Sequence, residues 1–218
     1  MTNESGPFRI QKISPLTRKE RERLVRRQEI IRVAKRIFAE KGFDGATLEE
    51  IALKAEFAKG TLYGYFKNKE DLYISLLEEE LGHLFGIMEG AMKEEENPLE
   101  KVKTLINRIF SYLVENREFF QIFTPERTWL LKGECAEMKK RIHPKFEKVV
   151  EATAECLEEV MRTGRMRKLD SKIAANALLG MVRSSAMRWM MEGQKGSLER
   201  EAEVITGIFL YGIQRCNS

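Results

Sequence analysis

Apolar residues recur along this chain at three- and four-residue intervals, the spacing of amphipathic helices. One example is the set Ile30, Ala34, Ile37 and Phe38, whose i, i+4, i+7, i+8 arrangement forms a helix face that packs against a core. The alternating apolar and polar pattern of strands has almost no support. The pattern therefore predicts an all-α fold.

The first helix is predicted to begin at Thr17 and to end at Gly42. Thr17 and Glu20 have the reciprocal spacing of a capping box. Gly42 suits the end of a helix because glycine adopts left-handed backbone angles at little cost. The early turns are basic, whereas the apolar stripe begins only at Ile30. One end of this helix is therefore suited to water or phosphate, and the other end to a core.

Two short helices and a longer one are predicted next. Thr47, with Glu50 at capping-box spacing, opens a second helix that ends near Lys54. A tight turn leads to a third helix over about residues 58–65, and Asn68 caps a fourth helix of greater length. Two short helices between two longer ones predict a compact unit at the N-terminal end.

The remainder of the chain is predicted to form further helices with clear boundaries. Pro144 falls inside a long one and is interpreted as a kink or a second helix start, because proline inside a helix removes a backbone hydrogen bond. The predicted ranges are 97 to about 115, shorter pieces over 118–129, about 134–163, 170–193 and 197 to about 215.

Charge is distributed unevenly along the chain. Residues 1–69 hold 16 Lys and Arg against 9 Asp and Glu, whereas residues 70–218 hold 22 against 25. Basic side chains that displace phosphate counterions supply most of the non-specific affinity for nucleic acid. The basic N-terminal third is therefore suited to a polyanion, although a solvated, Arg-rich helix face explains the same charge.

Residues 47–65 have the layout of a helix-turn-helix, in which a three-residue turn places the second short helix in the major groove of DNA. The segment over residues 47–72 reads TLEEIALKAEFAKGTLYGYFKNKEDL and closely resembles the signature of the TetR family of repressors. An apolar run from Ile30 to Phe43 stands where that family has its first helix. The resemblance covers about residues 28–77 and implies a repressor that binds double-stranded operator DNA.

The resemblance also implies roles for single residues. Hydroxyl and ammonium groups at helix ends are donors that hold phosphate oxygens, while a glycine lets the backbone approach DNA closely. The expected phosphate contacts are Thr47, Tyr65 and Lys69. The expected base-facing edge consists of Lys59, Gly60, Thr61 and Tyr63. Leu62 and Phe66 should instead lock the third helix onto the first.

Three residues depart from the family pattern. Glu56 stands in place of the usual turn glycine, Ala58 in place of a common serine cap, and Gly64 in place of a common histidine. The loss of a hydroxyl cap typically costs about 1 kcal/mol. A hypothesis is that the basic arm over residues 1–15, around Arg9 and Lys12, compensates together with Arg18 and Lys19 through backbone or minor-groove contacts.

Three units are predicted along the chain: a flexible basic arm over residues 1–15, a helix-turn-helix domain over 16–68 and a helical domain over 69–218. The resemblance implies that the last unit binds a small-molecule inducer and pairs two subunits. Apolar stripes on the last two helices suit a four-helix interface, and burial within one subunit explains them equally. A homodimer through these helices is favoured, because the two half-sites of an operator are bound by a protein with two-fold symmetry.

The candidate inducer site is drawn from the aromatic and Met-rich helices, together with polar residues that could anchor a charged group. Each such residue is individually more common in a core or in solvent. The candidates are Ile109, Tyr112, Phe119, Phe120, Phe123, Trp129, Met138, Phe146, Met187 and Trp189, with His143, Arg183 or Arg127 as anchors. An apolar ligand is expected, either a fatty acyl compound or an aromatic one.

Other classes of protein have less support in the sequence. The histidines are His83 and His143, and no metal, nucleotide or cofactor motif is recognisable, so an enzyme on a helical bundle is disfavoured. A helical carrier of apolar molecules is also disfavoured, because that function does not explain the basic N-terminal third of the chain. The three cysteines match no disulfide or metal spacing, and no signal peptide or membrane span is predicted. A soluble, cytoplasmic repressor that needs no cofactor is the resulting prediction.

Overall fold

The computed structural model describes residues 17–122, 136–193 and 196–212. Every regular element in these ranges is an α-helix, which confirms the all-α prediction. The predicted arm over residues 1–15 lies outside the described residues. In chain order the helices are α1 (Arg18–Gly45), α2 (Leu48–Lys54), α3 (Lys59–Tyr63), α4 (Lys69–Glu94), α5 (Pro98–Glu115), α6 (Arg117–Ile122), α7 (Ala136–Arg141), α8 (His143–Arg162), α9 (Ser171–Met191) and α10 (Leu198–Gly212).

Helix α1 begins as predicted but ends later. The Glu20 amide donates to Thr17 Oγ1 at 3.3 Å and the Thr17 amide donates to Glu20 Oε2 at 2.8 Å, so the capping box is present. Gly42 has φ 72° and kinks the helix, and one more turn continues to Gly45. Gly42 therefore breaks the regular helix where the sequence predicted its end, but the further turn to Gly45 was not predicted. This turn contains Phe43, which is buried with its ring edge-on to that of Tyr73 at 5.2 Å.

Helices α2 and α3 form the predicted pair of short helices. Thr47 Oγ1 accepts from the Glu50 amide at 3.2 Å, which confirms the N-cap. The capping box is not reciprocal, because the Glu50 carboxylate pairs with Lys41 at 2.7 Å instead. Helix α3 is shorter than predicted, and Ala58 at its N-cap makes no side-chain hydrogen bond.

The turn between α2 and α3 contains a strained residue. Glu56 has φ 59°, in the left-handed region that costs a non-glycine residue roughly 1–2 kcal/mol. We expect Glu56→Gly to raise the free energy of unfolding by about 1 kcal/mol, measured by urea denaturation. Glu56→Ala serves as the control, since it removes the carboxylate but keeps the strain. Equal stability of the two variants would show that the gain does not come from backbone conformation.

The long helix predicted over about residues 134–163 is divided into α7 and α8 at Ile142. The Ile142 side chain is buried, and its carbonyl accepts hydrogen bonds of 3.0 Å from the amides of Lys145 and Phe146. Pro144 therefore marks a second helix start, because its ring cannot follow an unbroken helical turn.

Helix α4 lies at the centre of the molecule and packs against α1, α5, α7 and α8. Helix α10 packs against α5 and α9, and α8 packs against α9. The buried apolar residues form one cluster that extends from α1 to α10. The division of the chain at residue 68 stays a prediction, since the core is continuous across it.

Candidate nucleic-acid interface and ligand cavity

The outer surface of α3 carries the residues predicted to face bases. Lys59, Gly60 and Tyr63 are exposed and Thr61 is half-buried, and a Cβ added at Gly60 would meet no atom within 4 Å. Leu62 on the opposite side of α3 is buried, as is Phe66 just beyond it. The two apolar residues hold α3 on the core, so its polar face points outward and can be approached by a large ligand.

Lys59 is held at this surface by its neighbours. Its ammonium forms an ion pair with Glu49 of α2 and lies 6.0 Å from the centre of the Tyr63 ring. The hydrogen bond from Lys59 lowers the pKa of Glu49, and the same bond raises the pKa of Lys59. The lysine is therefore positioned on the exposed side of α3 by Glu49 and Tyr63.

The three predicted phosphate contacts have different surroundings. Thr47 is exposed at the N-terminus of α2, and Tyr65 is half-buried with the Arg23 guanidinium 5.4 Å from its ring centre. Lys69 instead donates to the carbonyl oxygens of Phe43 at 2.7 Å and Ala46 at 2.9 Å. Its ammonium closes the connection between α1 and α2, so the structure does not leave it available for a phosphate.

Helix α4 is joined to α7 by one arginine. The Arg141 guanidinium donates to Asp71 Oδ1 at 2.7 Å, to Ser75 Oγ at 2.8 Å and to Glu78 Oε2 at 2.7 Å. Burial favours a higher pKa for Asp71, but hydrogen bonds from the Lys67 amide and from Arg141 outweigh it and hold the pKa below its usual value. The start of α4 is thereby tied to the helix that precedes α8.

A second, more buried polar network joins α4 to α1 and α5. Lys35 Nζ lies 2.8 Å from Glu80 Oε1, and their side chains are 12% and 10% exposed. The Tyr112 hydroxyl donates to Glu80 Oε2 at 2.7 Å, and Asn116 Oδ1 accepts from Lys35 at 3.2 Å. Burial and the bond to Glu80 raise the pKa of Tyr112 far above its ordinary value. Arg27 of α1 pairs with the adjacent Glu79.

An apolar cavity of about 210 Å³ lies between α4, α5, α6, α8 and α9. Its two polar lining residues, Asn176 and Arg183, are exposed and mark the side that opens to solvent. The lining consists of Leu81, Leu84, Ile109, Leu113, Phe119, Phe146, Val149, Asn176, Leu179, Gly180, Val182 and Arg183. The cavity can therefore take an apolar group and place a charged one near Arg183.

Four of the predicted ligand residues meet at this cavity: Ile109, Phe119, Phe146 and Arg183. Tyr112 does not, because its hydroxyl is bound to Glu80 inside the core. The leucines and Gly180 were not predicted, because their helical spacing resembles that of ordinary core residues.

The other candidates lie elsewhere. Trp189 donates from Nε1 to the Gly196 carbonyl at 3.0 Å and lines a different cavity, next to α10. His143 is exposed at the start of α8, 3.2 Å from Glu147, and Met187 packs against the core outside the cavity lining. Phe123, Arg127 and Trp129 lie outside the described residues, as do the side chains of Phe120 and Met138.

Four of the eight exposed large apolar side chains among the described residues lie on the last two helices. Ile173 and Met191 of α9 are 71% and 81% exposed, and Val204 and Ile208 of α10 are 51% and 58% exposed. Val204 and Ile208 are one helical turn apart and share a face. An exposed apolar surface of this kind is a candidate for contact with another protein surface.

A helix-turn-helix with an exposed basic edge, joined to a helical bundle that holds an apolar cavity, defines a DNA-binding transcription regulator. Residues 30–76 match the family described as "Bacterial regulatory proteins, tetR family", and residues 95–213 match "Tetracyclin repressor-like, C-terminal domain". The chain belongs to the TetR family and is not an enzyme. Regulators of this family bind operator DNA as dimers and respond to small-molecule ligands.

Relatives of known name cover most of the chain. The Fatty acid metabolism regulator protein of Bacillus subtilis (strain 168) is 28% identical over 186 residues, which are 85% of this chain and 94% of the relative. The crystal structure of FadR from Bacillus subtilis in complex with stearoyl-CoA has a TM-score of 0.76 and 28% identity, and the match covers 86% of this chain and 99% of that one. FadR from Bacillus halodurans has a TM-score of 0.74, with 27% identity over 87% and 97% of the two chains.

Within the described ranges, no helix is long and apolar enough to cross a membrane, and no group of His, Cys, Asp and Glu side chains is arranged to hold a metal ion.

Proposed function

We propose that this regulator is a repressor that binds a pseudo-palindromic operator as a homodimer and releases it when a long-chain fatty acyl thioester enters the apolar cavity. The observation that carries the proposal is the cavity itself, which is lined by apolar side chains and has Arg183 at its opening. An acyl chain matches the lining, and the anionic phosphates of a coenzyme A head group match the guanidinium. The FadR relative holding stearoyl-CoA supports this ligand class.

The DNA side of the proposal rests on α3. Lys59, Gly60, Thr61 and Tyr63 supply the surface that enters the major groove, and Thr47 supplies a hydroxyl to a phosphate. Lys69 is left out of the contact set because its ammonium is bound to backbone carbonyls.

Dimerisation is proposed to occur through α9 and α10. Burial of Val204 and Ile208 against the same residues of a second copy would remove their apolar surface from water, which is the main driving force for association. A two-fold dimer also presents two α3 helices to two half-sites, whose centres are one helical turn, about 34–36 Å, apart.

The size of the cavity couples ligand binding to α4. A volume of about 210 Å³ is below the roughly 300–1,000 Å³ of a typical ligand site. A long acyl chain therefore has to displace lining side chains, and Leu81 and Leu84 belong to α4. Movement of α4 changes the separation of the two α3 helices, provided that the ligand binds the displaced state more tightly.

The experiment that tests the proposal measures binding of the full chain to fluorescent DNA from upstream of its own gene, with random DNA as the control. We expect tight binding that prefers the upstream DNA, weakens steeply with salt, and is lost on addition of palmitoyl-CoA but not of coenzyme A alone. If neither DNA binds at low salt, a carrier of apolar molecules replaces the repressor. If DNA binds and palmitoyl-CoA has no effect, the ligand class is wrong.

A cavity-filling variant sharpens this test. Gly180 lines the cavity, and a Cβ there would meet no atom within 4 Å. Gly180→Leu is expected to keep DNA binding and to raise the palmitoyl-CoA concentration needed for release by about tenfold or more, since the loss of pocket space for even one methylene costs on the order of 1–3 kcal/mol. Gly82→Leu is the matched control, because Gly82 is exposed on α4 outside the lining. Equal responses of the two variants would show that the ligand binds elsewhere.

A further inference from the structure

The N-terminal part of α1 extends beyond the core. Burial in α1 begins at Ile30, and every residue over 18–29 is exposed or half-exposed. We call residues 18–29 the overhang. At 1.5 Å per residue it is about 18 Å long, which is comparable to half a turn of B-DNA. Arg23 and Arg27 make its contacts with the rest of the subunit, and most of its surface is left to solvent.

The overhang carries an excess of positive charge. Its three carboxylates are occupied within the described structure: Glu20 caps the helix with Thr17, Glu22 pairs with Arg18, and Glu29 pairs with Arg32. Its basic residues are Arg18, Lys19, Arg21, Arg23, Arg26 and Arg27. The surface is therefore suited to an anionic partner.

Two arginines fix the overhang beside the proposed DNA surface. Arg23 Nη2 donates to the Gly64 carbonyl at 3.3 Å, at the C-terminal end of α3. The same guanidinium lies over the Tyr65 ring, and that of Arg27 lies 5.3 Å from the centre of the Phe66 ring. The overhang and the base-facing helix are consequently parts of one continuous surface.

The helical repeat divides the remaining cations between two faces. Residues three, four and seven apart share a face of an α-helix, so Lys19 and Arg26 lie on the side of Arg23, which points toward α3. Arg18 and Arg21 lie on the opposite side. Both Lys19 and Arg26 are exposed. Their charges therefore lie beside α3, the helix proposed to enter the groove, but they are not the two arginines that fix α1 beside it.

We propose that Lys19 and Arg26 bind backbone phosphates of the DNA that flanks each half-site, so that the overhang lengthens the segment of DNA held by each subunit. This proposal rests on the proposed function, since it needs α3 in the major groove. Phosphate contacts of this kind add affinity and fix the register of the protein without reading bases.

The test compares the salt dependence of DNA binding for two double variants of the full chain. Each phosphate contact adds about 0.9 to the magnitude of the negative slope of log K against log salt. Lys19→Gln/Arg26→Gln removes two contacts from each subunit and should therefore make the slope of a dimer shallower by about 3–4. Arg18→Gln/Arg21→Gln removes the same charge from the opposite face and should change the slope by less than about 1. Circular dichroism checks that both variants fold.

Hydroxyl-radical footprinting gives a second readout. Wild-type protein should protect the deoxyribose backbone outside the half-sites, and that protection should disappear in Lys19→Gln/Arg26→Gln while protection within the half-sites remains. Equal slope changes in the two double variants, or an unchanged footprint, would overturn the proposal while leaving the repressor function intact. Wild-type protein that binds no DNA, or that binds anionic lipid vesicles instead, would overturn both.

Discussion

Replacing Lys35 by methionine is expected to lower the free energy of unfolding by about 3–5 kcal/mol. Lys35 is the cation that neutralises Glu80 in the most buried ion pair among the described residues. Without it, the Glu80 carboxylate would remain in the interior with only the Tyr112 hydroxyl as a donor. Leaving a buried charge unpaired costs more than the intact pair contributes, because the desolvation of the charge is no longer offset.

A double variant separates this charge effect from a loss of packing. In Lys35→Met/Glu80→Met no charge is left unpaired, and the Tyr112 hydroxyl keeps the Glu80 main-chain carbonyl, which it also contacts at 3.0 Å. We expect the double variant to recover at least half of the lost stability, measured by urea denaturation at one fixed protein concentration. If the single and double variants are equally unstable, packing and not charge explains the loss.

Introducing carboxylates at the exposed face of α10 is expected to weaken operator binding by about 100-fold or more. In Val204→Asp/Ile208→Asp, a two-fold interface would bring four like charges together in place of apolar side chains. Loss of the dimer removes the effective concentration that joins the two half-site contacts, and linked binding of this kind exceeds single binding by about 10²–10⁴.

The measurement combines sedimentation velocity with DNA binding. Val204→Ile/Ile208→Val is the matched control, because it keeps the composition and the apolar character of the face. The aspartate variant should sediment as a monomer with unchanged helical content, and the control should remain a dimer. An aspartate variant that is still dimeric would place the interface on a different surface.

The starts of the helices could be predicted from the sequence because capping is a local interaction. Thr17, Asn68 and Asp170 each accept a hydrogen bond from the amide three residues later, as the spacing indicated. The end of α1 could not be predicted in the same way. Gly42 has the expected left-handed conformation, but the burial of Phe43 draws the chain into a further turn.

Side-chain roles that depend on distant partners could not be predicted. Lys69 lies 26 residues from the Phe43 carbonyl that it binds, and Tyr112 lies 32 residues from Glu80. Lys69 was predicted to contact a phosphate and Tyr112 to contact the inducer because of their residue types. In the folded chain each instead binds a partner within the protein. The DNA contacts at Lys59 and Tyr63 stay predictions, consistent with their exposure on α3.

The cavity was predicted only in part. Ile109, Phe146 and Arg183 were recognised by size or charge, whereas Leu84 and Gly180 were not. A cavity is defined by the space that remains between helices, and neither a leucine nor a glycine on a helix signals such space in a sequence. The packing angles of α4, α8 and α9 had to be known first.

For the design of hybrid biosensors, the ion pairs of α4 decide where two parent proteins can be joined. Glu79 and Glu80 pair with α1, whereas Asp71 and Glu78 pair with Arg141 of α7. The two acidic residues nearer the start of α4 pair with α7, which follows α4 in the chain, and the two further along pair with α1, which precedes it. A splice before, within or after this stretch therefore separates at least one acidic residue from its partner. A chimera must inherit α1, α4 and α7 together from one parent.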